Sequence, residues 1–127
     1  MRVLVIDDEA PLRLTMRRML EAAGHEVTEA ENGRLGLEAF RRQPTDVVVT
    51  DIIMPQKEGI ETIRDLRAIA PGVRIIAVSG GGRNQDMNFL RIARKIGADA
   101  TLAKPFRKET LIACVENRAL PASEATV

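Results

Sequence analysis

The chain has 127 residues, 45% hydrophobic and 29% charged, which suits one globular domain and excludes wholesale disorder. A formal net charge of +1 makes no case for nucleic acid or an anionic membrane as the main partner. Three Phe with no Trp or Tyr leave an aliphatic core and little to stack on a base or a flavin ring.

Val3 to Ile6 is a continuous apolar run, read as a buried strand whose carboxyl end presents Asp7 and Asp8. Those acids, with Glu9, stop the run far too soon for a leader or a membrane span, and the single Cys114 fits a reducing compartment. A soluble, cytoplasmic protein is expected. Pro11 suits a helix start, and Leu12, Met16, Met19, Leu20 and Ala23 follow at helical spacing to the stop at Gly24. Val27 to Ala30 is a weaker strand. Asn32 suits an N-cap for a short helix carrying Leu37, Ala39 and Phe40 and ending before Pro44.

Asp46 to Asp51 is the centre of the pattern. Val47 to Thr50 are all β-branched, with no polar alternation, as a strand covered on both faces demands. Gly59 opens a helix with Ile60, Ile63, Leu66 and Ile69, stopped by Pro71-Gly72. Val73 to Val78 is a fourth strand ending at Ser79, followed by a Gly80–Gly82 loop. A helix over 85–96 carries Met87, Leu90, Ala93 and Ile96. Ala100 to Ala103 is a fifth strand leading to Lys104-Pro105, and Phe106, Leu111, Cys114 and Val115 mark a last helix over 107–119. Five strands alternating with five helices predict a doubly wound α/β domain, a (βα)5 unit of flavodoxin-like strand order 2-1-3-4-5. It spans residues 1–120, with 121–127 a flexible polar tail.

In that order Asp7, Asp8 and Asp51 meet at one sheet edge. Together they stay ionised only beside a cation, and Mg²⁺ suits a hard, oxygen-rich site. Ser79 adds a hydroxyl and Lys104 an ammonium at the same edge. Such a set can hold a phosphoryl group on Asp51, the nucleophile, while Lys104 and Mg²⁺ neutralise its oxygens. Each residue alone has a plainer reading: turn cap, helix cap, loop hydroxyl, surface lysine. Their convergence from different strands is what points to chemistry.

Val3-Leu-Val-Ile-Asp7-Asp8-Glu9, Val47-Val-Val-Thr-Asp51-Ile-Ile-Met-Pro55 with Gly59, Val78-Ser79-Gly80 and Leu102-Ala103-Lys104-Pro105-Phe106 together resemble the receiver domain of two-component response regulators. The resemblance covers residues 1 to about 120. It implies that a histidine kinase or a histidine phosphotransfer protein donates a phosphoryl group to Asp51. It implies Mg²⁺ on Asp8, Asp51 and the Ile53 backbone carbonyl, with Asp7 acting through water. Ser79 would bind a phosphoryl oxygen and Lys104 the acyl phosphate, and Lys104-Pro105 would be cis. The implied protein catalyses its own phosphorylation and dephosphorylation and has no separate substrate.

The sequence departs from that family at Thr101, where an aromatic is usual, and at Gly80 after the hydroxyl. A ring swinging in behind Ser79 is thus absent, and reordering of the Gly80–Gly82 loop with the helix after it is the expected switch. Ile53, apolar and two residues past Asp51, implies slow self-dephosphorylation. The helix at 11–23 is expected to help dock the donor, and the elements at 85–96, 100–103 and 107–119 to face an unknown target. No output domain follows residue 120, so the chain is either a stand-alone receiver or an excised one.

Two other functions use similar parts. A haloacid-dehalogenase-type phosphatase also has an aspartyl nucleophile, Mg²⁺, a Ser/Thr and a Lys, but its nucleophile ends the first strand in an Asp-x-Asp pair. A flavin electron carrier shares the fold but wants aromatics. His25 reads as a surface residue without partners, Cys114 as a core filler, and Arg91, Arg94, Lys95, Arg107 and Lys108 as a solvated face. The glycine loop lacks the Lys and Ser/Thr of a nucleotide loop.

Overall fold

A computed structural model describes residues 1–52, 58–79 and 87–118. Ile53, the Gly80–Gly82 loop and the tail at 121–127 lie outside them. The elements run β1 (Arg2–Ile6), α1 (Ala10–Ala22), β2 (Glu26–Ala30), α2 (Gly33–Arg42), β3 (Val47–Asp51), α3 (Glu58–Ile69), β4 (Arg74–Ser79), α4 (Met87–Ile96), β5 (Ala100–Ala103) and α5 (Lys108–Val115). The sheet is parallel, with the expected order β2-β1-β3-β4-β5.

The pleat sorts the apolar runs into two cores, because successive side chains point to opposite faces. Leu4, Ile6, Val48, Ile75 and Ala77 pack with Phe40 of α2, Ile63 and Leu66 of α3 and Ala93 of α4. Val3, Val5, Val47, Val49, Ile76, Val78 and Leu102 pack with Met16 and Leu20 of α1 and Leu111, Cys114 and Val115 of α5. Register keeps the sets in line: Val3 lies beside Val47 and Leu4 beside Val48. Most of these side chains are fully buried, each of the larger aliphatic ones stabilising the fold by about 1.5–3 kcal/mol relative to exposure.

Local signals act as their chemistry suggests. The Asn32 side chain accepts a 2.8 Å hydrogen bond from the Leu35 N–H and caps α2. Pro11 sits in the first turn of α1, which starts one residue earlier, at Ala10. Cys114 is buried in the core. Arg91, Arg94, Lys95, Arg107 and Lys108 are exposed.

Three expectations are corrected. The last helix ends at Val115, with Glu116 as its C-cap residue, and does not run to 119. Phe106 precedes α5 and is not part of its stripe, because Arg107 is the N-cap residue; it packs partly buried against the core between α1 and α5. His25 is not a surface residue, its side chain being only 7% exposed. Gly24 turns the chain at φ +95°, and the ring comes to rest with Nε2 2.8 Å from Glu116 Oε2 and Nδ1 3.2 Å from the amino terminus.

Candidate functional site

The parity of the strands places the charged residues before any side-chain contact is considered. Asp7 continues the face of Val3 and Val5, Asp51 that of Val47 and Val49, and Lys104 that of Ala100 and Leu102. All three therefore meet on the α1/α5 side, at the carboxyl edge of the sheet. Lys104 Nζ lies 3.1 Å from Asp51 Oδ2 and 3.2 Å from Asp7 Oδ2. Both carboxylates are buried, Asp7 fully and Asp51 at 3% exposure. Burial pulls the Lys104 pKa down, but the charges of Asp51 and Asp7 outweigh it and hold the ammonium above its ordinary value.

Asp7 uses its whole polar surface. Its N–H donates to the Ala30 carbonyl at 3.1 Å, Oδ1 accepts the Glu9 N–H at 2.8 Å, and Oδ2 faces Lys104. Asp8 and Glu9 stand exposed at the rim. Asp7, Asp8, Glu9 and Asp51 each bring a carboxylate oxygen within 4.8 Å of the others. Four neighbouring acids, two of them paired with one ammonium, leave a surplus of negative charge, and such an all-oxygen donor set fits a hard divalent cation. Glu9 is the member that sequence reasoning passed over, although it is the third acid of the run after β1.

Ser79 ends β4, buried, in register with Ala103 and one residue beyond Val78, the partner of Asp51. Its carbonyl accepts the Lys104 N–H at 2.8 Å, tying β4 to the lysine. The Lys104-Pro105 peptide is cis. Gly59, the second residue of α3, presses on the backbone that follows the aspartate. A Cβ there would sit 2.8 Å from the Asp51 carbonyl oxygen and 2.5 Å from Ile52 Cα, so no side chain fits. Thr101 lies partly buried in β5, beside Ala77. A cavity of about 520 Å³ opens next to the acids, lined by Glu9, Leu12, Met16, Met19, Lys104 and Phe106 among others.

A sequence profile of the response regulator receiver domain matches residues 3–116. The chain belongs to this family. The chemotaxis protein CheY of Thermotoga maritima is 35% identical over 112 residues, 87% of this chain and 91% of the relative. A receiver domain protein structure from Clostridium thermocellum superimposes with a TM-score of 0.83 at 33% identity, covering 91% of each chain. A Burkholderia pseudomallei response regulator, crystallised with a phosphorylated aspartic acid, a calcium ion and citrate, gives a TM-score of 0.81 at 29% identity over 90% of this chain and 65% of that one. No helix among the described residues is long and apolar enough to cross a membrane.

Proposed function

We propose that this receiver takes a phosphoryl group onto Asp51 from the phosphohistidine of a histidine kinase or a histidine phosphotransfer protein, in the cytoplasm, and signals through a changed partner-binding surface. The observation that carries the reading is the buried Asp51–Lys104–Asp7 contact beneath a rim of further acids. The Burkholderia structure, with its phosphorylated aspartic acid and calcium ion, supports it by likeness.

In the transfer, an Asp51 carboxylate oxygen forms a bond to phosphorus as the phosphorus–nitrogen bond breaks and its electron pair returns to the donor imidazole. Lys104 leaves its contact with the free carboxylate to neutralise a phosphoryl oxygen, and Ser79 donates a hydrogen bond to another. Asp8, Asp51 and the Ile53 carbonyl would hold Mg²⁺, with Asp7 acting through water. When bound, the ion supplies positive charge against the phosphoryl oxygens. Asp7 fixes the geometry of Lys104. The protein turns over its own phosphoryl group and has no separate substrate. Ile53 cannot orient an attacking water, so the acyl phosphate is long-lived, and Ile53→Asn shortens its lifetime. α1 helps dock the donor, while α4, β5 and α5 form the output face. With Thr101 in place of a ring, the switch runs through the Gly80–Gly82 segment and α4.

Incubation with a small phosphodonor and Mg²⁺, read by intact mass, tests this directly. One phosphoryl group adds to the native chain and none to Asp51→Asn. Continuous turnover of a phosphate ester would point instead to a phosphatase.

A further inference from the structure

We propose that Arg13 is a positioning residue for the acids at the end of β1, gripping the Asp7–Asp8 peptide while Glu29 of β2 holds the guanidinium in place. This rests on the reading of the acid cluster as a Mg²⁺ site and goes beyond it, since Arg13 is no ligand.

The geometry begins with a carbonyl. β2 ends at Ala30, so the sheet ladder offers the Asp7 carbonyl no further N–H. Arg13 Nη1 supplies the missing donor at 2.7 Å. That carbonyl belongs to the peptide joining Asp7 to Asp8, and holding its plane fixes the position of the Asp8 Cα and so restricts where its side chain can point. The arginine is itself held. Its backbone N–H donates to the Glu9 carbonyl at 2.9 Å in the first turn of α1, and Nε donates to Glu29 Oε1 at 2.8 Å. The other oxygen of Glu29 accepts Arg17 Nη1 at 2.8 Å, and Arg17 Nε donates to Glu21 at 3.0 Å. The Arg13 and Glu29 side chains are only 16% and 22% exposed. The hydrogen bond from Arg17, with that from Arg13, holds the Glu29 carboxyl below its ordinary value against the opposing effect of burial, so it stays an anion.

Charge and position give opposite signs here, which makes the role testable. Arg13 is a cation beside a cation site. If charge alone mattered, removing it would deepen the negative potential and tighten Mg²⁺ binding. If it positions Asp8, removing it weakens binding. Loss of such outer supports commonly costs about tenfold or more in metal affinity.

The test is a MgCl₂ titration followed by the backbone amide shifts of residues 7–9 in the native chain, Arg13→Ala and Arg13→Lys, with urea unfolding of each. Arg13→Ala is expected to bind Mg²⁺ about tenfold more weakly while folded, and Arg13→Lys, which keeps the charge but cannot bridge Asp7 and Glu29, to fall between. A purely structural arginine would lower the urea midpoint and leave the Mg²⁺ affinity of the folded protein unchanged; that outcome, or tighter binding, overturns the proposal. Should Arg13→Ala fail to fold, Arg13→Lys at native affinity overturns it equally. A native chain without saturable Mg²⁺ binding overturns the reading of the site, and this inference with it.

Discussion

The two edges of the sheet use the same kinds of charged residue to opposite ends. At the amino edge, Arg67 of α3 donates to the carbonyls of Pro71, Val73 and Gly97 and to Asp99 Oδ2, at distances from 2.6 to 3.2 Å. Asp99 in turn accepts the Ile75 N–H at 2.8 Å. Cation and anion are matched there, and the guanidinium closes the loops between α3, β4, α4 and β5. At the carboxyl edge, four carboxylates gather, two of them on Lys104, and the charges do not balance. A balanced cluster holds elements together; an unbalanced one in a cleft marks a candidate functional site.

Lys104→Met breaks the contrast most severely. It leaves two buried carboxylates without their cation and should cost about 3–5 kcal/mol, read by urea unfolding with far-UV circular dichroism. Millimolar Mg²⁺ should restore part of that loss; no response to Mg²⁺ would show that the acids are not a cation site. Arg67→Met should cost about 2–3 kcal/mol by orphaning carbonyls, and Mg²⁺ should not alter the deficit. Gly59→Ala forces the backbone at Asp51 and Ile52 to shift, with an expected loss of about 1–3 kcal/mol. It should also slow phosphorylation by a small phosphodonor, whereas Arg67→Met leaves that rate near native.

The smallest effect lies behind the carboxyl edge, on Glu29. Its carboxyl sits below the ordinary 4.5 in the fold, chiefly through the hydrogen bond from Arg17. A depressed acid adds stability that is present above pH 4.5 and is lost as pH falls through the folded value. The contribution should be under about 1 kcal/mol, given its partial exposure. Glu29→Gln should flatten that acid limb of the stability curve while leaving the alkaline limb, where Lys104 titrates, unchanged.

Much of this was legible in the residues themselves. Uninterrupted aliphatic runs ending in Asp7, Asp51, Ser79 and Lys104 place five parallel strands and bring their tips to one edge, because parity and right-handed crossovers leave few other arrangements. The amino-edge network was not legible. Arg67 reaches Gly97 and Asp99 across about thirty residues, and most of its partners are carbonyls, which carry no signature in side-chain type. His25 was misjudged for the same reason, since its partner Glu116 is 91 residues away. Arg13 lies between the apolar positions of α1 and belongs to no motif that would single it out. The end of β2 at Ala30 was read correctly, but the partner of Arg13 is the Asp7 backbone carbonyl, which no residue type announces.

The groove beside the acids contains Phe106, in a chain with neither tryptophan nor tyrosine. An indole introduced there by Phe106→Trp would be the sole long-wavelength fluorophore of the molecule. Its emission would report any change at that groove, the proposed ion binding and phosphorylation included, against an optically silent background, with no dye attached.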